Sequence, residues 1–171
     1  MCNYRQGAVR LLLASLFLLF TLAVRAEPPV TLVRVLKSES KLQLLAGEKL
    51  VREFKVVFGD NPAGHKVQEG DERTPEGFYT LDYKKADSDF YKAIHITYPN
   101  AKDIASAKAR GVNPGGQVMI HGQKNGLGWL DFISRHFNWT KGCVALSNAD
   151  MDVVWALVKE GTPIEILPLN H

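Results

Sequence analysis

A histidine and a cysteine stand 22 positions apart, each beside a glycine, in His121-Gly122 and Lys141-Gly142-Cys143. A thiol is a good nucleophile only as thiolate, and a nearby imidazole can take its proton and later return it to a leaving amine. Together the two side chains suit acyl transfer from an amide. His121 closes the apolar run Gln117 to His121, and Gly122 after it lets backbone or substrate approach closely. Peptide N–H groups around Gly142 and Cys143 can point at a developing oxyanion. Lys141, two positions from the thiol, favours thiolate if it turns inward; a solvated lysine is the competing reading.

The other histidines read differently. His95 falls in an alternating strand, where a hydrogen-bonded structural role is expected; His136 lies on a short helix and His171 at the terminus. His65 sits in a polar loop, from which it could contact substrate. No pair of His or Cys residues has the short ligand spacing of zinc motifs, so neither a metal nor a cofactor is expected.

Positioning the His and Cys falls to a chain rich in strand patterns. Val30 to Lys37 is rich in Val and Leu as a strand would be, Lys41 to Leu45 alternates, Ala46-Gly47 supplies a turn, and Leu50 to Phe58 alternates again, giving a hairpin followed by a long strand. Turn residues dominate Gly59 to Gly77, a long surface loop of the kind that more often carries function. Phe78 to Tyr83, Ala93 to Tyr98, Gln117 to His121 and Ile164 to Leu167 read as further strands. Asn100 with Asp103 caps a short helix, and Ser147 with Asp150 caps another that carries Met151, Val154, Trp155 and Val158. Between them, Trp129, Ile133 and Phe137 fall at spacings of four and predict one face of a two-turn helix. Strands mostly in runs, with few short helices, predict one α+β domain built on a β-rich sheet or sandwich.

The chain starts with a different kind of segment. Arg5 and Arg10 precede a 14-residue apolar run, Leu11 to Val24, and Val24-Arg25-Ala26 follows. This pattern predicts a secretory signal peptide over residues 1–26, leaving a domain over residues 27–171. The run is short for a bilayer span, so no stable membrane insertion is expected after cleavage. Removal takes away Arg5, Arg10 and Arg25 and leaves 18 basic against 18 acidic residues. A near-neutral domain without a Lys/Arg cluster lacks the field that nucleic-acid binding needs. Cleavage also leaves Cys143 as the sole cysteine of an exported chain, where a thiol is a liability unless its reactivity is used.

At the His and Cys segments the sequence resembles the L,D-transpeptidase catalytic domain of bacterial cell-wall enzymes. That family carries His-Gly after a buried strand and, about 20 residues on, Ser/Thr-His-Gly-Cys, an aliphatic residue, often an arginine, and an Asn. His121-Gly122, Thr140, Gly142, Cys143, Val144 and Asn148 match, and Arg73-Thr74-Pro75-Glu76-Gly77 looks like the family's Lys/Arg-Thr-Pro-x-Gly opening of a strand. Lys141 replaces the usual histidine and Ala145 the usual arginine. The Trp139-Thr140-x-Gly142-Cys143 form is similar to a murein-acting branch that includes enzymes severing lipoprotein from peptidoglycan.

The resemblance implies the family's β-rich fold and a periplasmic enzyme acting on diaminopimelate-type peptidoglycan stem peptides. It makes Cys143 the nucleophile, His121 the base, the Gly122 carbonyl an orienter of the ring, and the amides of Gly142 and Cys143 the oxyanion donors. Trp139, Thr140, Lys141, Asn148 and Arg73 become candidates for substrate contact. It leaves open transfer to an amine, hydrolysis that releases murein-linked lipoprotein, and an inactive wall-binding module. Chain order separates it from papain-like peptidases, which place Cys before His. Sortases need an arginine after the cysteine, and none follows Cys143.

Overall fold

The structure is a computed structural model and describes residues 27–169. The expected signal peptide and His171 lie outside the described residues. In chain order the strands are β1 (Leu32–Leu36), β2 (Lys41–Ala46), β3 (Lys49–Lys55), β4 (Gly77–Ser88), β5 (Tyr91–Ile96), β6 (Met119–His121), β7 (Val144–Ala145) and β8 (Thr162–Leu167). The helices are α1 (Ala101–Arg110), α2 (Asp131–Ser134) and α3 (Asn148–Leu157).

The strands form one mixed sheet in the order β3-β2-β1-β8-β4-β5-β6-β7. Its centre follows from period-two alternation. Val33 and Val35 pair with Leu44 and Leu42 on one side and with Ile164 and Ile166 on the other, and all six are buried. On the other half, Ile94, Ile120 and Val144 form a fully buried row across β5, β6 and β7, in one core with Met151 and Val154 of α3. Neighbours along these strands point to the opposite face. Ala93 on β5 and His121 on β6 are such neighbours, and they are register partners.

Two strands depart from the sequence pattern. β4 runs on to Ser88 rather than stopping at Tyr83, because it pairs with β8 through Gly77 to Leu81 and then with β5 through two register shifts. β3 is an edge strand with only Phe54 buried; Leu50 is exposed, and apolar packing resumes after the strand at Val56, Val57 and Phe58. That continuation crosses to the far side of the sheet. Val57 exchanges two backbone hydrogen bonds with Ala145, at 3.0 and 2.9 Å, and Gly59 bridges to Thr140. The sheet thereby curls until the segment after β3 meets β7.

The capping signals behave as their chemistry requires. Asn100 accepts from the amides of Lys102 and Asp103 while Asp103 accepts from Asn100, and Ser147 accepts from the amide of Asp150. The helix expected from Trp129 to Phe137 does not form as one piece. Gly128–Leu130 is a 3-10 turn and α2 is a single turn, so Trp129, Ile133 and Phe137 are all exposed.

Candidate active site

His121 ends β6, with its backbone held on both sides. Its carbonyl accepts from Leu146, and the next amide, Gly122, lies within reach of the carbonyls of Phe90 and Lys92. The ring is buried, 4.7 Å from Phe90 and edge-on to Trp139 at 5.8 Å. Its Nδ1 lies 2.7 Å from the Gly122 carbonyl. A carbonyl only accepts, so Nδ1 carries the proton and the neutral ring keeps its lone pair on Nε2. Burial pushes the imidazole below its ordinary pKa, and the Gly122 carbonyl opposes that shift.

Cys143 precedes β7 and opens onto the same cavity, of about 530 Å³, as His121. Its Sγ receives the Met119 amide at 3.4 Å and donates toward the Gln117 carbonyl at 3.8 Å. Burial holds the thiol above its ordinary pKa, opposed by the Met119 amide and the charge of Lys66. Both shifts favour the neutral forms, thiol and imidazole.

The turn before the cysteine is fixed by glycine. Gly142 has φ +116, and a Cβ there would lie 2.5 Å from the Arg73 carbonyl. Its amide lies 3.2 Å from Thr140 Oγ1, which donates onward to the Cys143 carbonyl at 2.8 Å. The Gly142 N–H is thus engaged inside the turn. No hydrogen-bond acceptor among the described residues takes the Cys143 N–H, which leaves that amide for an oxyanion.

Of the residues singled out from the sequence, Trp139, Thr140 and Lys141 line the cavity with His121 and Cys143. Arg73 and Asn148 do not. Arg73 supplies the carbonyl under Gly142, and its Nε is buried without a partner. Asn148 accepts from the Gln123 amide at 2.8 Å and packs against Gly122 and Gly128, which pins the loop after the histidine. Gln123 completes that hold by donating to the Leu146 carbonyl and accepting from Ser134. His65 lies in a separate cavity, donating through Nε2 to Asp103 at 3.1 Å, and His95 pairs with Asp82. Asp71 organises the long loop: its carboxylate binds Lys66 at 2.7 Å and the amides of Val67, Gln68 and Arg73.

Sequence reasoning missed Lys85, Phe90, Met119 and Lys124, which also line the cavity. Lys85 lies in the stretch between Tyr83 and Ala93 that carries no strand pattern of its own, and only strand register shows where it points. Among the described residues, no group of three or more His, Cys, Asp or Glu side chains could hold a metal ion.

The YkuD family model, described as the L,D-transpeptidase catalytic domain, matches residues 31–166. The chain belongs to the L,D-transpeptidase catalytic-domain family. Among curated proteins it is similar to the Escherichia coli (strain K12) protein named "Putative L,D-transpeptidase YafK", 33% identical over 132 residues, covering 74% of this chain and 46% of that protein. The chain thus spans about half the length of the curated relatives it matches. Among solved structures it is similar to the helical cell shape determining protein Pgp2 of Campylobacter jejuni, with a TM-score of 0.61 and 28% identity over 82% of this chain and 48% of that one. Bd1075 of Bdellovibrio bacteriovorus aligns with a TM-score of 0.56 and 22% identity, over 81% of this chain and 48% of that one; at that identity the likeness is one of fold. The α+β reading of the sequence, a mixed sheet with a few short helices, is the L,D-transpeptidase fold that these neighbours share.

Proposed function

We propose that the chain is an exported L,D-transpeptidase whose Cys143 takes up a peptidoglycan stem peptide as a thioester and passes it to an acceptor. One observation carries the reading: a histidine with its free lone pair on Nε2 and a lone cysteine share one cavity in a fold of this family. Residues 1–26 are its signal peptide and the periplasm is its compartment.

Cys143 Sγ attacks the carbonyl joining the L-centre of a diaminopimelate-type residue to the following D-residue, and its proton passes to His121 Nε2. The oxygen of the tetrahedral intermediate takes the Cys143 N–H. The imidazolium keeps its Nδ1 proton on the Gly122 carbonyl and gives its Nε2 proton to the departing amine, leaving a thioester. An acceptor amine, or water, then gives up a proton to Nε2 as it attacks, and the thiol is regenerated by the reverse transfer. Trp139 and Thr140 shape the donor side, and no cofactor takes part. Pgp2, the cell-shape protein of similar fold, supports a role in wall remodelling.

The test is to incubate the protein with purified murein sacculi and a free diaminopimelate-type amine, then identify products by mass. New cross-links or acceptor adducts establish transfer. Released lipoprotein peptides or shortened stems establish hydrolysis, with water as the acceptor. Unchanged sacculi would leave a wall-binding module and overturn the catalytic reading.

A further inference from the structure

Across three strands the register is continuous: Lys85 on β4 is opposite Ala93 on β5, and Ala93 is opposite His121 on β6. Register partners present their side chains to one face, so Lys85 lies on the face of the catalytic histidine. The two Cα atoms are about 10 Å apart, two strand spacings. Ala93, with no more than a methyl, lies between them on the sheet, and Phe90 packs on the His121 ring. Lys85 lines the cavity of Cys143, and Lys124 and Lys141 line it too.

Lys85, Lys124 and Lys141 are exposed, and among the described residues none of their side chains forms a hydrogen bond or an ion pair. The same holds for Lys49, Lys102, Lys108 and Lys159; what sets these three apart is that they share one cavity with Cys143 and His121. Asp89 is the one acidic residue lining the cavity, which leaves it with an excess of two positive charges at neutral pH. Phe90, Met119 and Trp139 supply an apolar wall beside them. Such a cavity fits methylenes against the wall and more than one anion at the rim.

We propose that Lys85, Lys124 and Lys141 form a carboxylate subsite beside the thiol, so that the acyl donor is a peptide bearing at least two free carboxylates near the amide that is broken. Peptides with those carboxylates amidated are poor donors. The inference rests on the peptide-acylation reading above and adds how the donor is chosen. Lys85 and Lys124 are specificity residues and take no part in proton transfer.

The experiment uses the purified full chain with Cys143→Ala, titrated calorimetrically with two synthetic stem-type tetrapeptides, one with free carboxylates and one with carboxamides in their place. The free form is expected to bind about tenfold more tightly at low salt, the combined effect of two or three partly exposed ion pairs. That preference should shrink as salt rises from roughly 50 to 300 mM, which shortens the Debye length. It should also fall below about threefold in Lys85→Gln/Lys124→Gln/Lys141→Gln, while the corresponding arginine triple keeps it. Equal binding of the two peptides, binding of neither, or a preference that survives in the glutamine triple overturns the subsite. Turnover of the same peptides by the wild-type chain is scored separately. Consumption of both at equal rates removes the subsite and leaves the transpeptidase reading standing.

Discussion

His121 gives its Nδ1 proton to the carbonyl of its own neighbour, Gly122, across 2.7 Å. The residue that follows the histidine therefore sets its tautomer, with no side-chain carboxylate needed for the task. On the proposed mechanism, the same carbonyl would steady the imidazolium formed when the ring takes the thiol proton.

Removal of either half of the pair should stop the chemistry and spare the fold. Cys143→Ala should abolish change in murein sacculi, and His121→Ala should slow it by about 100- to 10,000-fold, the usual worth of a positioned acid–base group. Product analysis by mass checks activity, and circular dichroism checks folding. Wild-type turnover by either variant would refute the mechanism.

The dependence on pH follows from two opposite shifts. Burial sets His121 below its ordinary 6.5, so its lone pair survives into mildly acid solution, and kcat/KM should fall only as pH drops through that lowered value. Burial sets Cys143 above its ordinary 9.0, so the proton destined for the leaving amine is lost only in alkali, where the rate should fall again. Alkylation of the thiol by iodoacetamide should share the upper limb, accelerating as pH rises through it. A midpoint for alkylation near pH 5 would point instead to a resting thiolate–imidazolium pair.

Asp71 should prove a support of the turn before Cys143 that never meets substrate. Burial alone would raise its pKa, but Lys66 and the amides of Val67, Arg73 and Gln68 outweigh it and hold the carboxyl below its ordinary value. The loop it braces carries the Arg73 carbonyl on which Gly142 rests. Asp71→Asn strands the buried Lys66 and should cost about 3 kcal/mol of stability, read by urea denaturation. For the wild type, the stability Asp71 supplies is present above pH 3.8 and disappears as pH falls through the lowered folded value. A variant as stable as wild type at pH 7 would show that the carboxylate braces nothing.

Gly142→Ala should be far worse than an alanine at another glycine of positive φ. At Gly142 the methyl meets the Arg73 carbonyl, whereas Gly47 at φ +61 has open space around it. Gly47→Ala should cost about 1 kcal/mol from backbone strain alone. Gly142→Ala adds a clash, for about 3 kcal/mol in total, and should displace the thiol enough to remove activity. Melting temperatures of the two variants give the comparison, and equal losses would contradict the close packing at the turn.

The legibility of this chain in its sequence divides by range. His121-Gly122 and Gly142-Cys143 could be singled out because their pattern is local, a reactive side chain beside a residue without one, and the structure brings the histidine and the cysteine to one cavity. The centre of the sheet could be read from the Val and Leu content of Val30 to Lys37 and the alternation of Leu42 and Leu44, neither of which depends on the partner strand. Lys85 could not, because two register shifts in the pairing of β4 with β5 decide which residue faces His121, and no local pattern records them. The stretch around Trp129 misled for a related reason. Spacings of four describe a helix face only if a helix exists, and Gly126 and Gly128 leave room for little more than a turn before Ser134.

The bridge between Val57 and Ala145 joins residues far apart in the chain, and Gly59 beside it is so tightly placed that a Cβ there would collide with the Glu72 carbonyl and crowd the Gly142 amide. Contacts of such sequence separation carry a loop-closure cost and form late in folding. The cavity that Cys143 and His121 share thus depends on a long-range closure that brings the segment after β3 against the turn before the cysteine. On the proposed mechanism, a chain that has not made this closure would lack a working acylating centre.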